Sequence, residues 1–197
     1  MIEKCGHTKT KKMKIRKQYF GEVFRIKTDV CDFCEATLWD RTTQNEFSKW
    51  LNKLDHTKRD RFVIQFSLTK NTLQCLDRLI EDFPGSDRTK VLRALVMFFT
   101  DRVAPRKEWS DIVEEITKRD VYKRFLEGKR EIVKVHFNPF ALLDVLSWAK
   151  IADLKPRVFS ESVALRIFSF YIEIDPVMHD FWENNIKPEI SLILKAA

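Results

Sequence analysis

Residues 61–68, RFVIQFSL, and residues 130–137, REIVKVHF, are two short runs in which apolar and polar side chains alternate. A period of two is the pattern of a strand with one face buried and the other in solvent. Each run leads into the same succession of segments. After the first come TKNTLQCLDRLIEDF, the break PGSD and RTKVLRALVMFFTDRV; after the second come NPFALLDVLSWAKIADL, KPRVFS and ESVALRIFSFYIE. Apolar residues recur in the longer segments at helical spacing, so 61–103 and 130–173 each predict a strand followed by two amphipathic helices. One such unit leaves both strand edges unpaired and too small an apolar face to close a core. A second copy on the same chain supplies the partner.

The copies superpose residue on residue. At an offset of 69 positions Phe62, Ile64, Phe66 and Leu68 fall on Glu131, Val133, Val135 and Phe137. The other face then sets Arg61, Val63, Gln65 and Ser67 on Arg130, Ile132, Lys134 and His136. Only Glu131 departs from the apolar set, at the strand's end. Leu73, Leu76 and Phe83 share the offset with Leu142, Val145 and Ala152. For the last helix a longer turn in the second copy and an offset of 73 are expected, which sets Leu92-Arg93 on Leu165-Arg166 and makes Asp87 and Ser160 equivalent N-caps.

A strand, helix, turn, helix unit with a polar strand face resembles the ribbon-helix-helix family of DNA-binding proteins, and DRTKVLRAL at 87–95 is similar to the opening of that family's second helix. Tandem copies in one chain also occur in a virulence accessory protein of T-DNA plasmids, to which this chain is similar in architecture. The resemblance implies an α+β fold, mostly helical: a pseudo-dimeric ribbon-helix-helix with both units in one chain. It also implies a site. An antiparallel ribbon would enter the major groove of double-stranded DNA, turning Arg61, Val63, Gln65, Ser67, Arg130, Ile132, Lys134 and His136 to base edges. The start of each second helix, with Arg88, Thr89, Lys90, Ser160 and Ser162, would meet backbone phosphates. Residue content agrees, because solvated strands usually mix Glu, Thr and Lys, whereas Arg61, Gln65, Arg130, Lys134 and His136 are mostly donors. The unlike faces of the two strands make one chain a complete reader, so a monomer is expected.

Composition is compatible with this. The 197 residues carry a net charge of +7, and 16 are Phe, which suits a globular protein with an acidic partner. No run approaches the roughly twenty apolar residues of a membrane helix, and Met1-Ile2-Glu3-Lys4-Cys5 opens no signal peptide, so no membrane partner and a cytoplasmic location are expected. The four His (His7, His56, His136 and His179) are scattered, and only four Gly are present, with no phosphate loop. No nucleophile motif occurs, so the chain does not read as an enzyme. The function expected is sequence-specific DNA binding by a transcriptional regulator, or by an accessory factor in plasmid transfer, partition or relaxosome assembly. A protein of another class, an interaction module that reuses the fold, would bury the strand face instead.

The N-terminal segment reads as a second module. Cys5-Gly6-His7 and Cys31-Asp32-Phe33-Cys34 bracket a basic, strand-like run, the layout of a ribbon holding one tetrahedral zinc. The stretch from Gly21 to Leu51 is similar to the amino-terminal zinc ribbons of certain bacterial antitoxins, and departs from them at the first knuckle, where Cys-x-His stands for Cys-x-x-Cys. The ligands expected are Cys5, His7, Cys31 and Cys34, for one structural zinc per chain; unrelated buried thiols are the plainer alternative. Residues 9–17, KTKKMKIRK, hold six basic side chains and no acid. Lys11, Lys12 and Lys14 would line a phosphate backbone, or Lys would merely protect a solvated strand edge. Cys75, among Leu73, Leu76 and Leu79, reads as core.

The chain thus divides into a zinc-ribbon-like module (1–40), a helix and linker (41–60) with Phe47, Trp50, Leu51 and Leu54 on one face, the first unit (61–103), a helical connector (104–129), the second unit (130–173) and a helical tail (174–197). The tail, with Phe181, Trp182, Ile186, Ile190 and Leu192, would cap the core or dock a protein partner.

Overall fold

The computed structural model describes residues 9–35, 37, 40–103, 127–172 and 176–196. The chain divides into two compact units, Met1–Arg61 and Phe62–Ala197. Cys5, His7 and the connector up to residue 126 lie outside the described residues.

In the first unit, strands β1 (Thr10–Tyr19) and β2 (Glu22–Cys31) pair antiparallel, from Tyr19 opposite Glu22 to Thr10 opposite Cys31. Phe20 and Gly21 form the two-residue turn, with φ of 53° and 76°. Positive φ at both positions gives the turn whose twist matches the paired strands. Glycine takes the second position at no steric cost, but Phe20 needs support. Arg61 supplies it, donating to the Phe20 carbonyl at 2.9 Å and to the Glu22 carboxylate at 2.8 Å. Lys58 donates to the same carboxylate. Lys58 and then Arg61 hold the Glu22 carboxyl below its ordinary range.

Helix α1 (Arg41–Thr57) begins at Asp40, whose carboxylate accepts the Thr43 N–H at 2.7 Å. Its Leu51 and Leu54 are buried, as are Phe24, Ile26 and Val30 of β2. Tyr19, Phe24, Phe47 and Trp50 form one aromatic cluster with ring centroids 5.0–6.2 Å apart. The hydroxyls of Thr28 and Thr43 meet at 2.9 Å in the same interior. The helix at 41–57 therefore shares a core with the hairpin through the apolar face expected of it.

In the second unit, β3 (Val63–Thr69) pairs antiparallel with β4 (Arg130–His136). Two helices follow each strand: α2 (Lys70–Glu81) and α3 (Arg88–Phe98) after β3, α4 (Pro139–Ile151) and α5 (Pro156–Ile172) after β4. Thr69 and Asn138, separated by the offset of the strands, cap α2 and α4 by accepting the N–H of Thr72 at 3.2 Å and of Ala141 at 2.9 Å. The second helices cross over: α3 packs on β4, α5 packs on β3, and the two pack on each other. A π-helical turn at Phe99–Val103 extends α3. Phe62, Phe66, Leu79, Leu95, Phe99, Val135, Phe137, Phe159 and Ile167 fill the space between. The architecture is α+β and mostly helical, with two two-stranded antiparallel sheets among the described residues.

The last helix of the second copy corrects the sequence reading. Helix α5 begins at Pro156, 68 positions after Arg88, and not at the expected offset of 73. Asp153 ends α4 in the left-handed region (φ 52°), and the Leu154 N–H returns to the Ala149 carbonyl at 2.8 Å. The second copy therefore has the shorter turn. Proline starts the next helix at once, because its fixed φ suits a first turn that needs no N–H. Ser160 and Ser162 consequently lie inside α5, with Ser160 fully buried, and neither is an N-cap.

The tail forms α6 (Pro176–Phe181), a π-helical turn (Trp182–Ile186) and α7 (Lys187–Ala196), which packs on α3. Trp182, Ile186 and Ile190 are buried, Tyr171 lies 5.4 Å from Trp182 between ring centroids, and Lys187 reaches Asp82 at 3.4 Å. The tail is thus part of the core's cover. No helix among the described residues is long and apolar enough to cross a membrane. Cys75 is half-buried at the edge of the core rather than within it.

Candidate nucleic-acid interface

The β3–β4 ribbon has one face in the core and one outside. Phe62, Ile64, Phe66, Leu68, Val135 and Phe137 are buried. The opposite face consists of four cross-strand pairs: Val63 with His136, Gln65 with Lys134, Ser67 with Ile132, and Thr69 with Arg130. The Phe137 N–H donates to the Phe62 carbonyl at 2.8 Å and the Lys70 N–H to the Lys129 carbonyl at 3.3 Å. The hydrogen-bonded pairs are therefore the inward ones, and the four outward pairs are the close kind, with Cα atoms about 4.5 Å apart. Gln65, Lys134 and Arg130 are exposed, as is Ile132 at 64%, while Val63, Ser67 and His136 are half-buried and Thr69 is buried.

Gln65 and Lys134 occupy equivalent places in the two copies, and the register makes them each other's partner. The flanking pairs are reciprocal: Ser67 meets Ile132, the equivalent of Val63, and Val63 meets His136, the equivalent of Ser67. A residue that faces its own counterpart, with reciprocal neighbours, is the signature of two-fold pairing. The same relation closes the outer edges. The Ser67 N–H donates to Glu161 of α5 at 2.5 Å, and the carbonyl of its equivalent, His136, accepts from Arg93 of α3 at 3.4 Å. Burial raises the Glu161 carboxyl above its ordinary range, against the opposing pull of the Ser67 N–H, Arg157 and Arg130.

Several expected contact residues lie elsewhere. Arg61 precedes β3 in the 3₁₀ turn Arg59–Phe62, and its guanidinium is engaged with Phe20 and Glu22. The first turn of α3 is satisfied by its own neighbours. Arg88 is bidentate to Asp77 at 2.7 and 2.6 Å, the Thr89 hydroxyl donates to Asp87 at 2.5 Å, and Lys90 gives its N–H to Asp87 at 2.8 Å and its amine to the Gly85 carbonyl at 3.1 Å. A carboxylate thus stands where an anion was expected. Those bonds, the Thr89 hydroxyl first, hold the Asp87 carboxyl below its ordinary range. At the other helix the exposed polar side chain of the first turn is Arg157, which contacts Glu161 at 3.4 Å, in place of Ser160 and Ser162.

In the first unit the register separates the expected lysines. Lys11 lies opposite Val30 and pairs with Asp32 at 3.6 Å, whereas Lys12 and Lys14 share the other face, opposite Asp29 and Lys27. Arg16 and Arg25, directly opposite each other, lie on that face too. Sequence reasoning passed over Arg25 and Lys27, although their alternation with the buried Phe24 and Ile26 carries the signal.

At the end of β2, Cys31 is buried and Cys34 exposed. The Phe33 N–H points to the Cys31 sulfur at 3.5 Å, and the Glu35 N–H returns to the Cys31 carbonyl at 3.1 Å with Glu35 at φ 56°. The Asp32 N–H donates to the Lys9 carbonyl at 3.1 Å, so Lys9 lies beside this turn. Among the described residues no three metal-binding side chains converge, two of the four expected ligands lying outside them. Comparison of the chain with protein-family models, with curated proteins and with solved structures finds no match.

Proposed function

We propose that the chain is a sequence-specific double-stranded DNA-binding protein, a tandem ribbon-helix-helix that inserts the β3–β4 ribbon into the major groove and acts as a transcriptional regulator. One observation carries the reading: the outward face centres on Gln65 opposite Lys134, two exposed side chains whose donors have no protein partner among the described residues. The major groove is about 12 Å wide and admits a two-stranded ribbon. Glutamine suits adenine and lysine suits guanine, while the exposed Ile132 offers the apolar surface that a thymine methyl takes. Arg130 and His136 flank them. Because the central partners differ, the two halves of the target differ too, and one chain reads an asymmetric site.

The test is selection of preferred duplexes from a random pool, followed by binding assays on the winner and on random DNA. Gln65→Ala and Lys134→Ala should each weaken the preferred site by about 1–3 kcal/mol and leave random DNA nearly unaffected. Equal losses on both would reject base readout, and a palindromic winner bound by two chains would reject the single-chain reader.

The reading extends to zinc. A set of Cys5, His7, Cys31 and Cys34 offers the three thiolates and one imidazole of a closed structural site, and an amide directed at the Cys31 sulfur stabilises its thiolate. Bound there, the metal would fasten the end of the hairpin and leave no coordination position for catalysis.

A further inference from the structure

We infer that the outward face of the β1–β2 hairpin is a second docking surface, for the phosphate backbone of double-stranded nucleic acid, and that it works whether or not the β3–β4 ribbon reads bases. The register sets Lys14 against Lys27 and Arg16 against Arg25. All four are exposed, and among the described residues no carboxylate lies within ion-pair distance of any of them. Like charges directly opposite on an antiparallel pair destabilise it, and here two such pairs are adjacent. Folding gains nothing from that arrangement; an anion laid across it does. Lys12 extends the row opposite Asp29, the one acid on the face, and also acts on Asp40.

The geometry narrows the partner. Alternate residues on a strand are about 6.8 Å apart, and the two rows run about 5 Å apart, so the cations form a narrow grid matched to a dense line of charge. Duplex DNA carries one charge per about 1.7 Å of axis. Two of the four cations are arginines, whose fork grips phosphate oxygens in pairs. Single strands would need aromatic side chains to stack on, but Tyr19 and Phe24 belong to the opposite face. A membrane surface would need large apolar groups, and the outward face has only Val23 at its end.

The experiment compares the full chain with the variant Lys14→Gln/Arg16→Gln/Arg25→Gln/Lys27→Gln, by anisotropy on random-sequence duplex between about 50 and 200 mM salt. The slope of log K against log salt should flatten by about 0.9 for each phosphate that the variant no longer neutralises, about 3 to 4 in all. The thermal midpoint should hold or rise as the like-charge pairs disappear. Lys14→Glu/Arg16→Glu, which turns both pairs into opposite charges, should lose binding while gaining stability, and so guards against a variant that merely unfolds. An unchanged slope in a folded variant overturns the inference, as does a larger loss on anionic vesicles or polyglutamate than on duplex. Gln65→Ala should leave this slope alone, so failure of base readout and failure of the hairpin surface give different results.

Discussion

The hairpin β1–β2 closes through Phe20-Gly21 and sets lysine against lysine, whereas the ribbon β3–β4 joins positions 69 and 130 and sets glutamine against lysine. In the hairpin the turn is local and the aromatic cluster with α1 lies on one side, which leaves Lys14, Arg16, Arg25 and Lys27 exposed on the other. In the ribbon the pairing depends on a core of phenylalanines, and its outer face is varied, with one amide, cations, a hydroxyl and an exposed isoleucine. Uniform charge supports attraction without discrimination, and mixed donors and apolar groups support discrimination.

Removing metal is the harshest way to separate the two. Elemental analysis should find about one zinc per chain. Chelation or Cys31→Ser should abolish it and expose the amides of β1 and β2 to hydrogen exchange, while β3 and β4 keep their protection. A metal-free protein with a protected hairpin would remove zinc from the account. The converse break comes from Phe66→Ala at a fully buried position of β3. It should cost about 3–5 kcal/mol and melt the ribbon unit in denaturant, with the hairpin's exchange pattern unchanged; a loss below about 1 kcal/mol would mean that the ribbon is not anchored by its core.

Smaller effects sharpen the description of the ribbon's supports. Asp87→Ala should cost about 1 kcal/mol by removing the α3 cap. Because the folded protein holds that carboxyl low, its contribution is present above the ordinary aspartate range and lost as pH falls through the folded value, so the thermal midpoints of variant and parent should converge in acid. Glu161 has the opposite sign. Its carboxyl is raised, so its contribution is complete below the ordinary glutamate value and lost as pH rises through the folded one. Glu161→Gln keeps an acceptor for the Ser67 N–H and should gain on the parent as pH rises from the ordinary glutamate value through the raised folded one; a pH-independent difference would show that burial does not perturb this carboxyl.

The sequence was legible where a pattern is self-contained. Alternation placed β3 and β4, and Asp87 marked the start of α3, because each signal lies within a few residues. It misled where two signals competed. At Lys155-Pro156 a proline that starts a helix looks the same as one that ends a turn, and the serines beyond it offered an equally good cap. Lys11 was misplaced by parity, since a slip of one residue flips a side chain to the other face and only the turn at Phe20-Gly21 fixes the count. Arg61 was assigned to the strand by its alignment with Arg130. Its partners Phe20 and Glu22 are about forty residues away, beyond what a local pattern records.

Joining β3 and β4 in one polypeptide makes their association immune to dilution. Two separate chains must find each other at cellular concentration, but tethered strands meet at an effective concentration set by the connector, of millimolar order for a short flexible one. The unfolding midpoint of this unit should not depend on how much protein is present, and a few copies per cell would stay assembled. The tether also frees the two halves genetically. In a homodimer every substitution appears twice, whereas here Gln65 can change while Lys134 stays, so the left and right sides of one face can diverge one residue at a time.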